Sequence, residues 1–113
     1  MDPNEEFYNK FKTDVEHWAG QGGESIVETK HDIEKELFHM TQGRLPPERC
    51  DDVIRMHVVM SLAMNDTTII KALEEVVEQA PGKDTWRLLW ATHRYLGNEE
   101  LAERSKSHIS ASQ

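Results

Sequence analysis

A chain of 113 residues with three Trp, three Phe and two Tyr holds enough apolar bulk for one modest core, which predicts a single domain. It has no apolar run of the roughly 18 residues a membrane span needs, and its one cysteine, Cys50, excludes an internal disulfide and suits a reducing compartment. The net charge of −8 is concentrated in the first third, where 4 Lys/Arg face 10 Asp/Glu over residues 1–42; that surface repels phosphate backbones, which argues against nucleic acid and leaves either a basic partner or a plain solvated face.

Nearly every segment reads as helix. Phe7, Phe11, Val15 and Trp18 form one apolar stripe on a first helix over about 4–19, which Gly20, Gly22 and Gly23 then stop. A second helix over about 24–42 buries Ile26, Ile33, Leu37 and Met40, and Gly43 is its left-handed cap. Pro46-Pro47 breaks the chain and opens a third helix. From Val53 to Met64 that helix is apolar on most sides, with Arg55, His57 and Ser61 as polar exceptions, so it is expected to be covered by neighbours.

Asn65-Asp66-Thr67-Thr68 supplies N-cap formers for a fourth helix over about 67–80, with Ile69, Ile70, Leu73, Val76 and Val77 inward. Pro81-Gly82 ends it, and Asp84 or Thr85 caps a fifth over about 85–96, with Trp86, Leu89, Trp90, His93 and Leu96 on one stripe. Gly97 stops that helix, and Asn98 caps a sixth over about 98–109, with Leu101, Ala102, Ser105 and Ile109 inward. The predicted fold is therefore all-α, a compact antiparallel bundle of about six helices forming a single interaction domain over 1–113, with a loose tail from about residue 110.

The residues that carry chemistry are not arranged to perform any. Glu28-x-x-His31 and Glu36-x-x-His39 have the spacing of carboxylate-bridged metal bundles, but both lie on one helix and cannot face each other. Cys50 has no CxxC partner, and its neighbours Asp51 and Asp52 oppose the thiolate that Arg49 would favour. WAGQGGES follows a helix rather than a strand, so it is not a phosphate loop. No cofactor, no metal and no enzymatic activity are expected. Met56, Met60 and Met64 recur every four residues, as core filler or as an adaptable groove. Trp86 and Trp90, one turn apart, bury on the order of a few hundred Å² as core anchors, or leave part of that surface for docking.

Two stretches resemble the death-fold superfamily, and within it the caspase recruitment domain. In QGRLPPERCDDVI, residues 42–54, Gly43, Leu45 and Ile54 stand where that family ends one helix, places a leucine and begins a short acidic helix. Over residues 69–105, Ile70, Leu73, Gly82, Trp86, Leu89, Gly97, Leu101, Ala102 and Glu103 match a leucine-rich helix, a glycine turn, an aromatic-led helix, a second turn and a Leu-Ala-Glu helix. The lone cysteine and the acidic, polar N-terminus point to a cytoplasmic protein, with the nucleus as the alternative; the resemblance implies an adaptor that assembles apoptotic or innate-immune signalling complexes with other proteins, homotypic helical domains and oligomers among them. Its acidic face would be Asp14, Glu16, Glu74, Glu75 and Glu78, and its basic face Arg44, Arg49 and Arg55. The second half is also similar to a tetratricopeptide repeat, through Pro81, Trp86, Leu89, Gly97 and Ala102. That resemblance implies a scaffold or chaperone holding a peptide or helix in an apolar groove lined by Met56, Met60 or Trp90.

Overall fold

The computed structural model describes residues 2–111, and among them the fold is all-α, with six helices and no strand. These are α1 (Pro3–Gln21), α2 (Gly23–Thr41), α3 (Pro47–Ala63), α4 (Ile69–Gln79), α5 (Lys83–Tyr95) and α6 (Glu99–Ala111). Among the described residues no helix is long and apolar enough to cross a membrane.

The ends of the helices follow from identifiable residues. Asp2 accepts the Asn4 N–H at 2.9 Å through Oδ1, capping α1 just ahead of Pro3. Three helices stop in the same way, with a residue in the left-handed region after the last turn. After α2 it is Gly43, φ 69°, and the Arg44 N–H closes onto the His39 carbonyl at 2.9 Å. After α5 it is Gly97, φ 79°, and the Asn98 N–H reaches the His93 carbonyl at 2.9 Å. After α3 the position falls to Asn65, φ 59°, with the Asp66 N–H on the Ser61 carbonyl at 2.8 Å. Asn65 therefore ends a helix rather than helping to start one. Thr68, the N-cap of α4, makes no side-chain cap bond. Nor does a side chain cap α5, whose N-cap is Gly82. Thr85 instead donates its hydroxyl to the Gly82 carbonyl at 3.0 Å, within the first turn.

The chain divides into two packing units, and the division falls inside α1. One unit takes the chain up to Lys12 and again from Thr68 onward; the other is Thr13–Thr67. In Thr13–Thr67, Ile26 and Ile33 of α2 pack with Val53 and Met60 of α3, flanked by Trp18, Leu37, Leu45, Met56 and Ala63. Val58 to Leu62 are buried without a break, so α3 is covered on most sides, Ser61 included. In the other unit α5 holds the equivalent place, with Leu88 to His93 all buried. The start of α1 packs against it: Tyr8 meets Trp90 with ring centroids 5.9 Å apart, and Phe11 meets Tyr95 at 6.4 Å.

Three packing expectations are corrected. Tyr8, not Phe7, takes the core position on α1, because its ring faces Trp90, whereas Phe7 is half-buried beneath the Arg87 guanidinium. Leu101 is 43% exposed. The inward stripe of α6 is Ala102, Ser105 and Ile109, and Leu101 is rotated about 100° away from Ala102. Residues 110 and 111, expected to begin a loose tail, are the last of α6. Ile109 is buried and holds the last turn of α6, which runs to Ala111; residues 112–113 lie outside the described residues.

Candidate functional site

Within the unit that contains α4, α5 and α6, these three helices leave a groove of about 630 Å³. Each contributes one face. From α4 come Glu74, Val77 and Glu78, at i, i+3 and i+4, and Pro81 follows in the turn. From α5 come Trp86, Leu89 and His93, and from α6 Leu101, Arg104, Ser105 and His108. Val77, Leu89, His93 and Ser105 are buried and form the floor. Half-buried Trp86 and exposed Leu101 rise as apolar walls. The Trp86 ring stacks on His108, centroids 4.0 Å apart and planes 12° from parallel.

The lip is charged unevenly. Glu74 and Glu78 project from α4 as exposed carboxylates. On α6, Arg104 bonds Glu100 at 3.2 Å, which offsets its positive charge at that edge. The floor hydroxyl is already satisfied, since Ser105 donates to the Leu101 carbonyl at 3.0 Å. Among the described residues no group of three or more His, Cys, Asp or Glu could hold a metal ion. The groove is equipped to hold apolar surface beside a positive charge.

His93 in the floor is held below the usual histidine range by burial, against a smaller opposing pull from Glu74. The Asn98 amide nitrogen lies 3.4 Å from its Nδ1, and because an amide nitrogen only donates, that contact needs Nδ1 unprotonated. His57 on α3 is depressed in the same direction, by burial and then by nearby Lys30, with Glu34 and Asp66 opposing. For both residues the unfolded chain binds a proton more readily than the folded one. Their contribution to stability is therefore complete above the ordinary histidine pKa of about 6.5 and is lost as pH falls through the depressed folded-state values. Urea unfolding is expected to show a lower midpoint at pH 5 than at pH 7. In a His57→Gln/His93→Gln variant the difference between the two midpoints should shrink.

The chain matches no family model, no curated protein and no solved structure. Its resemblances rest on the residues quoted above, and the functional reading rests on where the structure puts them.

The predicted interaction residues are dispersed. Asp14 and Glu16 lie on α1 in the Thr13–Thr67 unit, the first half-buried and the second exposed. Glu74, Glu75 and Glu78 lie on α4 in the other unit, all exposed. Of the basic set, Arg44 is exposed in the turn between α2 and α3. Arg49 reaches both carboxylate oxygens of Glu36, each at 3.1 Å, and that bond and charge raise its pKa further. Arg55 pairs with Asp52 at 3.4 Å. Two of the three cations are thus already engaged within the chain.

Trp90, expected among the docking residues, lies in the core. It is 2% exposed, with Tyr8 and the cationic heads of Arg94 and Lys106 against its ring, so it offers almost no surface. Of the methionine stripe, Met60 is fully buried and Met56 packs against the same core, so neither lines a groove; only Met64 is exposed. The residues that do line the groove include Trp86, Leu101 and His108, none of which the interaction set contained. Composition offered one sign of them, a Trp and a Leu near the ends of adjacent helices, with carboxylates one turn apart on the helix before.

Proposed function

We propose that this chain is a non-catalytic protein-interaction module, and that its α4–α6 groove holds an amphipathic segment of a partner protein with apolar anchors and flanking Lys or Arg. The observation that carries this reading is the pairing of an apolar trough, walled by Trp86 and Leu101, with the Glu74 and Glu78 carboxylates on its lip. An apolar stripe laid into such a trough supplies affinity through buried area, and the charges on the lip select a basic segment and speed its approach. The chain's net charge of −8 acts in the same direction at longer range. Both family resemblances imply protein binding without catalysis, and both draw on Trp86 and Leu89.

The exposed acidic side of α4 also suits the charge-paired homotypic assembly that the death-fold resemblance implies, with Arg44 as the basic counterpart. The internal pairing of Arg49 and Arg55 leaves that reading second.

The test is a titration of the full chain with a synthetic amphipathic helix of Leu and Lys whose lysines are placed at i, i+4. A saturable change in tryptophan emission that weakens as salt is raised is the expected result. A chain that leaves this peptide unbound, yet self-associates at low salt, would sink the groove reading and favour the homotypic one.

A further inference from the structure

We propose that the Thr13–Thr67 unit carries a second docking groove for the same class of segment, a basic amphipathic helix; this rests on the reading of the α4–α6 groove given above. The turn from α1 to α2 and the end of α3 enclose a trough of about 720 Å³. Its apolar lining includes Trp18, Ile26, Val27, Ala63 and Met64. Two of these are open to solvent to an unusual degree for their type, Val27 at 54% and Met64 at 40%. At one end, Gly22 and Gly23 line the trough with bare backbone, and open space lies where a Cβ would stand on either.

The two troughs share a local pattern that neither family resemblance contains. In α2, Glu24 and Glu28 stand one turn apart with Val27 between them; in α4, Glu74 and Glu78 stand one turn apart with Val77 between them. Each trough also has a half-buried tryptophan in its wall, Trp18 in one and Trp86 in the other. An apolar trough with an aromatic wall and two carboxylates one helical turn apart complements the same surface in both places: an apolar anchor flanked by cations at i, i+4.

Charge selects the occupant. A second copy of this chain, itself at −8, meets net repulsion as it approaches an acidic lip. Phosphate-bearing surfaces, whether lipid or nucleic acid, meet the same repulsion. A basic protein segment meets attraction at the lip and apolar area beneath it.

The three tryptophans report the two troughs separately. Indole N–H signals of Trp18, Trp86 and Trp90, assigned with Trp→Phe variants, are to be followed by NMR as the full chain is titrated with the Leu/Lys amphipathic peptide. The expected result is saturable movement of both Trp18 and Trp86, with native mass spectrometry showing two peptides per chain. The double variant Glu24→Lys/Glu28→Lys, both positions exposed on α2, should weaken the Trp18 response at least tenfold in peptide concentration and leave that of Trp86 in place. Reversal at Glu48 and Asp51, exposed on α3, should change neither. Movement of Trp86 alone, with one peptide per chain, overturns the second groove and leaves the first. Movement of Trp18 alone supports the second groove and overturns the α4–α6 reading; silence from both overturns the two together. Equal losses from the Glu24/Glu28 and Glu48/Asp51 reversals would show binding to charge without a groove and overturn the proposal. If the Glu24/Glu28 variant loses helix by circular dichroism, Val27→Asp tests the same trough from its apolar side, with the same result expected.

Discussion

Replacing Trp90 with alanine is expected to destabilise the chain by about 3–5 kcal/mol, the usual cost of removing a fully buried tryptophan. For a protein of this size that is a large share of the total stability. The reason lies in what surrounds the ring. Trp90 is in the middle of the stretch of α5 that is buried on every side, Leu88 to His93. Tyr8 packs against it at a 57° tilt. The Arg94 guanidinium lies 5.6 Å from the Trp90 ring and 4.0 Å from that of Tyr8, and bonds Glu5 at 2.8 Å. The indole is therefore the centre of the contact between the start of α1 and α5, and its loss leaves a cavity and also removes a face from two cation–aromatic contacts. Urea unfolding followed by circular dichroism measures the cost. Trp90→Phe, which keeps an aromatic face, should lose distinctly less; an alanine variant within about 1 kcal/mol of the parent would show that α5 is not the core helix of its unit.

Why the sequence pointed to both tryptophans but could not separate them is a matter of cover. At i and i+4 they fall on nearly the same side of a helix. Burial depends on what lies opposite, and the cover over α5 is complete only from Leu88 onward, so Trp86, in the first turn, stands at its edge. The helices themselves were legible because their boundaries are local: Pro47 as a start, and Gly43, Gly97 and the Pro81-Gly82 break as stops, act through backbone geometry, whatever the tertiary context. Asn65 was not, since asparagine serves both as an N-cap and as a left-handed C-terminal residue, and the string Asn-Asp-Thr-Thr favours the first role. Leu101 and Ala102 show the same limit on α6. Hydrophobicity places the leucine inside, while the spacing of Ser105 and Ile109 selects the alanine. Arg49 and Glu36 are 13 residues apart in the chain, and only the packing of α2 against α3 makes them a bidentate pair. The groove was the least legible feature. Glu74 and Glu78 could be read as an acidic edge, but its closeness to Trp86 and Leu101 depends on the spacing of three helices.

Trp86→Ala is expected to separate binding from folding in the opposite sense to Trp90→Ala. Trp86 is half-buried and stacks on exposed His108, so its loss opens no enclosed cavity and should cost far less stability than the loss of Trp90. In the groove, however, it is the largest apolar wall, and a tryptophan at the centre of a binding surface is the type of residue whose truncation removes about 2 kcal/mol or more of affinity. That corresponds to roughly 30-fold weaker binding. Calorimetric titration with the Leu/Lys amphipathic helix, at a temperature where both proteins are folded, reads the difference directly; on the Glu24→Lys/Glu28→Lys background it reads the α4–α6 groove alone. Glu74→Gln and Glu78→Gln should act differently from Trp86→Ala. They leave the apolar contact in place and remove lip charges, so the loss should appear mainly as slower association and a flatter salt dependence. If Trp86→Ala binds as tightly as the parent while the two glutamine variants lose most of the affinity, the trough is not where the partner sits, and the acidic side of α4 alone makes the contact.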